Sequence, residues 1–173
     1  MKNFLGIRKL TTKDVCTLGL LIAITVVLSI VSGYIRIGLD GKISLSFVSV
    51  FVAGALFGPL FGGVVGAMAD IISCFVNPVG AFLPQLTLIE FMYGFIFGVF
   101  FYKRDEKFYI PSVLVCDIFV LVVNALLKTI ILCPIVGREF VPELIIRLPI
   151  CLVQSAIILV VLLFIKPFLK KFR

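Results

Sequence analysis

Four ionisable residues, Asp70, Glu90, Lys128 and Arg147, stand inside long apolar runs, where a centrally placed charge costs about 2.5–3.5 kcal/mol on insertion scales. Two carboxylates and two cations on four separate runs offer three kinds of chemistry: holding a charged organic molecule, pairing with one another, or relaying protons or ions. Hydrolysis in its usual forms is not on offer. The chain has no histidine, which removes Ser-His-Asp and Cys-His arrangements and the common zinc-peptidase ligands, and it has no Walker-type phosphate loop. No serine, aspartate or glutamate has the arranged partner that a nucleophile needs. The chain therefore reads as a non-enzyme with no cofactor and no metal. Cys16, Cys74, Cys116, Cys133 and Cys151 lie in apolar segments and never as C-x-x-C, so they read as plain buried thiols.

Asp70 is the best-marked of the four. Gly62, Gly66 and Asp70 recur at i, i+4 and i+8, with Gly63, Ala67, Ser73 and Cys74 beside them, so one helix face is nearly free of bulky side chains and must meet protein closely. Glu90, Gly94 and Gly98 repeat the spacing on the next run. Between the two, Asn77-Pro78, Gly80 and Pro84 break the helix and shape a short loop. Asn124 and Lys128 stand one turn apart on a later run.

The elements that position these residues follow from composition. With 62% apolar and 14% charged residues and a mean hydropathy of +1.27 over 173 residues, the polar surface is far too small to cover a soluble globule. The prediction is an all-α integral membrane protein, a single domain over 1–173, with six spans of about 20 residues or fewer joined by short loops. The spans fall at about 14–33, 45–57, 60–76, 85–102, 110–136 and a last run carrying Glu143, Arg147, Pro149 and Gln154. The second is short for a membrane core of about 30 Å.

The net charge of +7 does not point to nucleic acid, because the basic residues cluster at the ends of apolar runs. Lys2, Arg8, Lys9 and Lys13, the run 103–107, and Lys166, Lys170, Lys171 and Arg173 place both termini and 103–107 in the cytoplasm. The first apolar run is long and lacks a cleavage site, so it is read as a span and not a signal peptide.

In this topology Asp70, Glu90, Lys128 and Arg147 all lie roughly 7–12 Å below the outer surface, at about 1.5 Å per residue. Convergence on one depth suggests an outward-facing polar cavity. Arg36 and Lys42 in the outer interruption 34–46 tip its balance toward an anionic ligand. The plainer alternatives are two buried ion pairs that only fix helix positions, or a relay through Asp70 and Glu90. Asp117, near the inner end of its span, has no role in this reading.

Several stretches together resemble the substrate-binding S components of energy-coupling factor (ECF) vitamin transporters, and within them the folate group. They are Lys42-Ile43-Ser44-Leu45-Ser46-Phe47 leading into Leu56-Phe57-Gly58-Pro59, then Gly66-Ala67-Met68-Ala69-Asp70, then Asn77-Pro78-Val79-Gly80-Ala81-Phe82 with Pro84 and Thr87, and Arg147-Leu148-Pro149. The resemblance runs from about residue 10 to the end. It implies a six-helix protein of the bacterial plasma membrane that binds a vitamin from outside and docks on a transmembrane coupling protein and two ATPases. Gly19-Leu20-Leu21-Ile22-Ala23 is similar to the family's A-x-x-x-A docking motif, with glycine for the first alanine. The expected ligand is folate, or failing that another carboxylated vitamin. The ligand-binding residues are expected to be Arg36, Lys42, Phe47, Asp70, Phe82, Thr87, Glu90, Asn124, Lys128 and Arg147, and the docking residues Gly19 and Ala23. The sequence departs from the group at Lys128-Thr129-Ile130-Ile131, where N-T-L-W is usual, and at Ile150-Cys151-Leu152, where a lysine-containing stretch is usual. A cation has in effect moved from the sixth span to the fifth. With no tryptophan in the chain, stacking on a pterin-like ring falls to residues such as Phe47, Phe82 or Tyr93.

Overall fold

The structure is a computed structural model that describes residues 11–34, 36–37, 41–42, 44–76, 83–102, 109–136 and 140–172. Helix α1 spans Thr12–Tyr34. Thr11-Thr12-Lys13-Asp14 is a sequence that offers a helix cap, and the start is capped in that way, the Thr11 amide donating to Asp14 Oδ2 at 3.0 Å, the reciprocal half of a capping box. A minimal antiparallel ladder follows, β1 (Arg36–Ile37) against β2 (Gly41–Lys42), with Arg36 opposite Lys42. The other described elements are helices.

Helix α2 (Phe47–Phe57) has 11 residues, roughly 16 Å at about 1.5 Å per residue and so about half a membrane core. It stops at Gly58, whose φ of 103° is open to glycine and strained for other residues. Its N–H closes the helix on the Gly54 carbonyl at 3.0 Å. Pro59 then opens α3 (Pro59–Val76) at once, its fixed φ suiting a first helical turn. Pro84 does the same for α4 (Pro84–Phe101).

The remaining helical chain is α5 (Tyr109–Val122), a π-helical segment (Val123–Leu127), α6 (Lys128–Val136) and α7 (Phe140–Phe172). The first three are continuous and form the predicted fifth run. Among the described residues, five helices are long and apolar enough to cross a membrane, over 12–33, 59–76, 84–101, 109–131 and 147–164, with α2 as a shorter apolar helix.

The two predicted small-residue stripes pack on each other. A β-carbon at Gly94 would run into the Gly62 carbonyl, one at Gly66 would lie 2.5 Å from the Glu90 carbonyl oxygen, and one at Gly54 would lie 2.9 Å from the Gly94 carbonyl oxygen. The three helices α2, α3 and α4 therefore touch backbone to backbone, as dispersion-driven helix association in lipid favours. Beside this contact runs an aromatic core, Phe51 edge-on to Phe97 and Phe101 with centroids 5.5 and 4.8 Å away, and Phe101 edge-on to Tyr109 at 5.2 Å.

Helices α5 and α7 are joined by polar ties. Tyr109 Oη donates to the Leu162 carbonyl at 2.6 Å, and the Ser155 hydroxyl donates to Asp117 Oδ2. Asp117, for which the sequence offered no role, is thus buried as part of the α5–α7 contact.

Candidate functional site

The α3–α4 contact decides where the polar groups emerge. Asp70 lies at the end of the α3 stripe, and one helix away Thr87 Oγ1 donates to its Oδ2 at 2.7 Å. One turn further along α4, Glu90 Oε1 receives a hydrogen bond and ion pair from Lys128 Nζ at 3.0 Å. The two side chains of that pair are 26% and 23% exposed, so it is only partly buried and not sealed in the core. The next turn of α4 brings Tyr93, 6% exposed, whose ring lies under Lys128 with the ammonium 5.3 Å from the centroid. This is a cation–π arrangement that holds the lysine in place.

Lys128 owes its position to the π-helical segment. Its amide bonds the carbonyl of Val123, five residues back, in place of that of Asn124. Such wide turns recur at functional sites because they change where the following side chains project. Asn124 is half-buried in the same segment. Asp70 adds a longer-range attraction on Lys128. From α7, Cys151 lies within electrostatic reach of both Lys128 and Arg147, and Arg147, half-buried, stands one turn from it on the same face.

The structure thus joins Asp70 to Thr87 and Glu90 to Lys128, and Arg147 stands on α7 one turn from Cys151, the residue that lies near Lys128. Phe47 packs into the hydrophobic core at 9% exposure. The backbones of Arg36 and Lys42 pair in the ladder; their side chains lie outside the described residues, as does Phe82. Gly19 and Ala23 lie on an exposed face of α1 with Cys16 and Leu20, and a β-carbon at Gly19 would meet nothing within 4 Å. Among the described residues no three histidine, cysteine, aspartate or glutamate side chains gather as metal ligands.

Two features of the site escaped the sequence. One is the π-helical segment, which no glycine or proline marks. The other is a clamp on the chain that leads from the ladder into α2: the Ser44 amide donates to Gln154 Oε1 at 3.0 Å, and Gln154 Nε2 donates back to the Ser44 carbonyl at 2.7 Å. The next amide, of Leu45, donates to Ser32 Oγ at 2.9 Å. Residues 44–45 are therefore tied to α1 and to the helix that carries Arg147.

Chemically, the site presents two carboxylates and a threonine hydroxyl against a lysine and an arginine. Carboxylates accept paired N–H donors, and an arginine fork grips a carboxylate in two places. One molecule with a donor-rich edge at one end and an acid at the other fits such a set.

Comparison with known proteins gives a concordant picture. Residues 13–166 match the profile of the ECF transporter, substrate-specific component family. The folate transporter FolT of Clostridium novyi (strain NT) is 37% identical over 118 residues, which cover 68% of this chain and 64% of that protein; the match thus spans a little under two thirds of that relative's length. A crystal structure of FolT bound with folic acid superposes with a TM-score of 0.71 at 28% identity, covering 86% of this chain and 91% of that one.

Proposed function

The chain belongs to the substrate-specific components of ECF transporters, multi-pass proteins of the bacterial plasma membrane, and we propose that it captures folate from outside and delivers it through a coupling protein and two ATPases. The chain crosses the membrane six times, α2 being the short second crossing, with both ends and 103–107 in the cytoplasm. The observation that carries the reading is the layer in which Thr87 bonds Asp70 while Lys128 bonds Glu90, with Arg147 on the adjoining helix. It is supported by the likeness to a FolT structure bound with folic acid.

In this reading Arg147, helped by Lys128, holds the carboxylates of the ligand, while Asp70 accepts from the amino and ring N–H donors of the pterin. Glu90 and Asn124 belong to the same proposed ligand set, which Arg36, Lys42 and Phe82 complete. Gly19 and Ala23 form the docking face for the coupling protein, in keeping with their exposure on α1. The second reading, another carboxylated vitamin, is favoured by the two departures that change charge at the site, Lys128 in the fifth run and Ile150-Cys151-Leu152 in place of a lysine-containing stretch in the sixth. Calorimetric titration of the detergent-solubilised protein with folic acid, and mass spectrometry of molecules that co-purify with it, test the assignment. No heat with folic acid and a different co-purifying acid would replace folate; no ligand at all would remove the capture function.

A further inference from the structure

We propose that Glu90 is an internal competitor for the ligand: its carboxylate occupies the place on Lys128 that a ligand carboxylate takes, and it swings aside when an anionic ligand binds. The inference rests on the capture of a carboxylated ligand argued above.

The two sides of the pair differ in freedom. Lys128 is held from beneath by the ring of Tyr93, which at 6% exposure is fixed in the core. The Glu90 backbone is equally fixed, because its carbonyl oxygen lies 2.5 Å from where a β-carbon on Gly66 would stand. The two side chains are similarly exposed, 26% for Glu90 and 23% for Lys128; the ring contact holds the lysine, and the Glu90 side chain is left to turn about its own torsions. An exchange at Lys128 is therefore a rotamer change of Glu90 and needs no movement of helices.

Charge gives the exchange its selectivity. Asp70, Glu90, Lys128 and Arg147 sum to zero. A ligand bringing two carboxylates with Glu90 still in place would set four negative groups against two positive ones in a partly buried layer, where charges are poorly screened. Moving Glu90 outward lessens that excess and frees Lys128 for one of the ligand's carboxylates. A neutral ligand cannot drive this step, since separating the pair without a substitute anion costs Lys128 its ion-pair partner and leaves only the Tyr93 ring and the more distant Asp70. The Glu90–Lys128 pair thus sets a threshold that only an acid crosses, at the expense of some affinity for that acid.

Folic acid and pterin, the ring without the acidic tail, separate the outcomes when titrated calorimetrically into the full chain and into Glu90→Gln. The variant removes the competing charge and is expected to bind folic acid about tenfold more tightly, the worth of roughly one charge-assisted hydrogen bond, and to raise the preference for folic acid over pterin. Glu90→Asp keeps the charge but shortens its reach, and is expected to give a smaller gain of the same sign; it decides the matter if Glu90→Gln does not fold. Wild-type binding of folic acid with equal or weaker binding in both variants overturns the competitor role alone. Failure of the wild type to bind folic acid overturns the capture reading and this inference with it.

Discussion

Thr87 on α4 donates a hydrogen bond to Asp70 on α3 at 2.7 Å, one helical turn from the point where Glu90 meets Lys128. The hydroxyl gives a part-buried carboxylate its donor across the helix contact. Thr87→Val, which keeps shape and removes the donor, should lower stability by about 1–3 kcal/mol and weaken folic acid binding, while Thr87→Ser should retain both. Thermal unfolding in detergent and calorimetry on the same samples measure the two effects.

A β-carbon at Gly94 collides with the Gly62 carbonyl, whereas one at Gly19 meets nothing within 4 Å. Gly94→Ala is therefore expected to force α3 and α4 apart and cost about 1–3 kcal/mol or more, as overpacking does. Gly19→Ala should leave the melting temperature of the isolated subunit unchanged. Equal melting temperatures for the two variants would contradict the backbone contact.

Arg147→Ala should weaken folic acid binding roughly ten- to a hundredfold, the loss of a bidentate charge-assisted contact. The diagnostic quantity is the preference for folic acid over pterin, which the variant should largely lose. An undiminished preference would place the carboxylates elsewhere.

The exposed face at Gly19 and Ala23 should accept bulk without harm to the isolated subunit. Replacing both by leucine is expected to abolish co-purification with the coupling protein while folic acid binding by the subunit alone persists. Loss of binding in the isolated variant would mean that the pair packs inside the subunit.

A cysteine placed at Asp105, in a background lacking the exposed Cys16, should resist a membrane-impermeant thiol reagent applied to whole cells and react once the cells are opened. Labelling from outside would reverse the proposed orientation.

What the sequence disclosed, and what it hid, divides along physical lines. The glycine stripes of α3 and α4, the Thr11–Asp14 cap and the brevity of α2 were legible because each depends on spacing within a few residues. That Asp70, Glu90 and Lys128 share one place was an expectation from their positions along three apolar runs, and the structure pairs Glu90 with Lys128. The pairing was not legible: two carboxylates and two cations allow more than one match, and the choice of Glu90 for Lys128 depends on a wide turn with no sequence signature. Tyr93, a candidate for stacking on the ligand, instead has Lys128 over its ring, and Phe47 turns into the core beside Phe51. The Ser44–Gln154 clamp joins residues 110 positions apart, beyond the reach of any local pattern.

That clamp has a mechanical consequence. A side-chain amide that both accepts from and donates to one residue's backbone acts as a single rung of sheet supplied by a helix, and it resists sliding as well as twisting. Gln154 lies two turns from Arg147 on α7, so a shift of residues 44–45 must either break both bonds at once or roll α7 about its axis. In the second case the Arg147 guanidinium travels with residues 44–45, and the two behave as the arms of one lever.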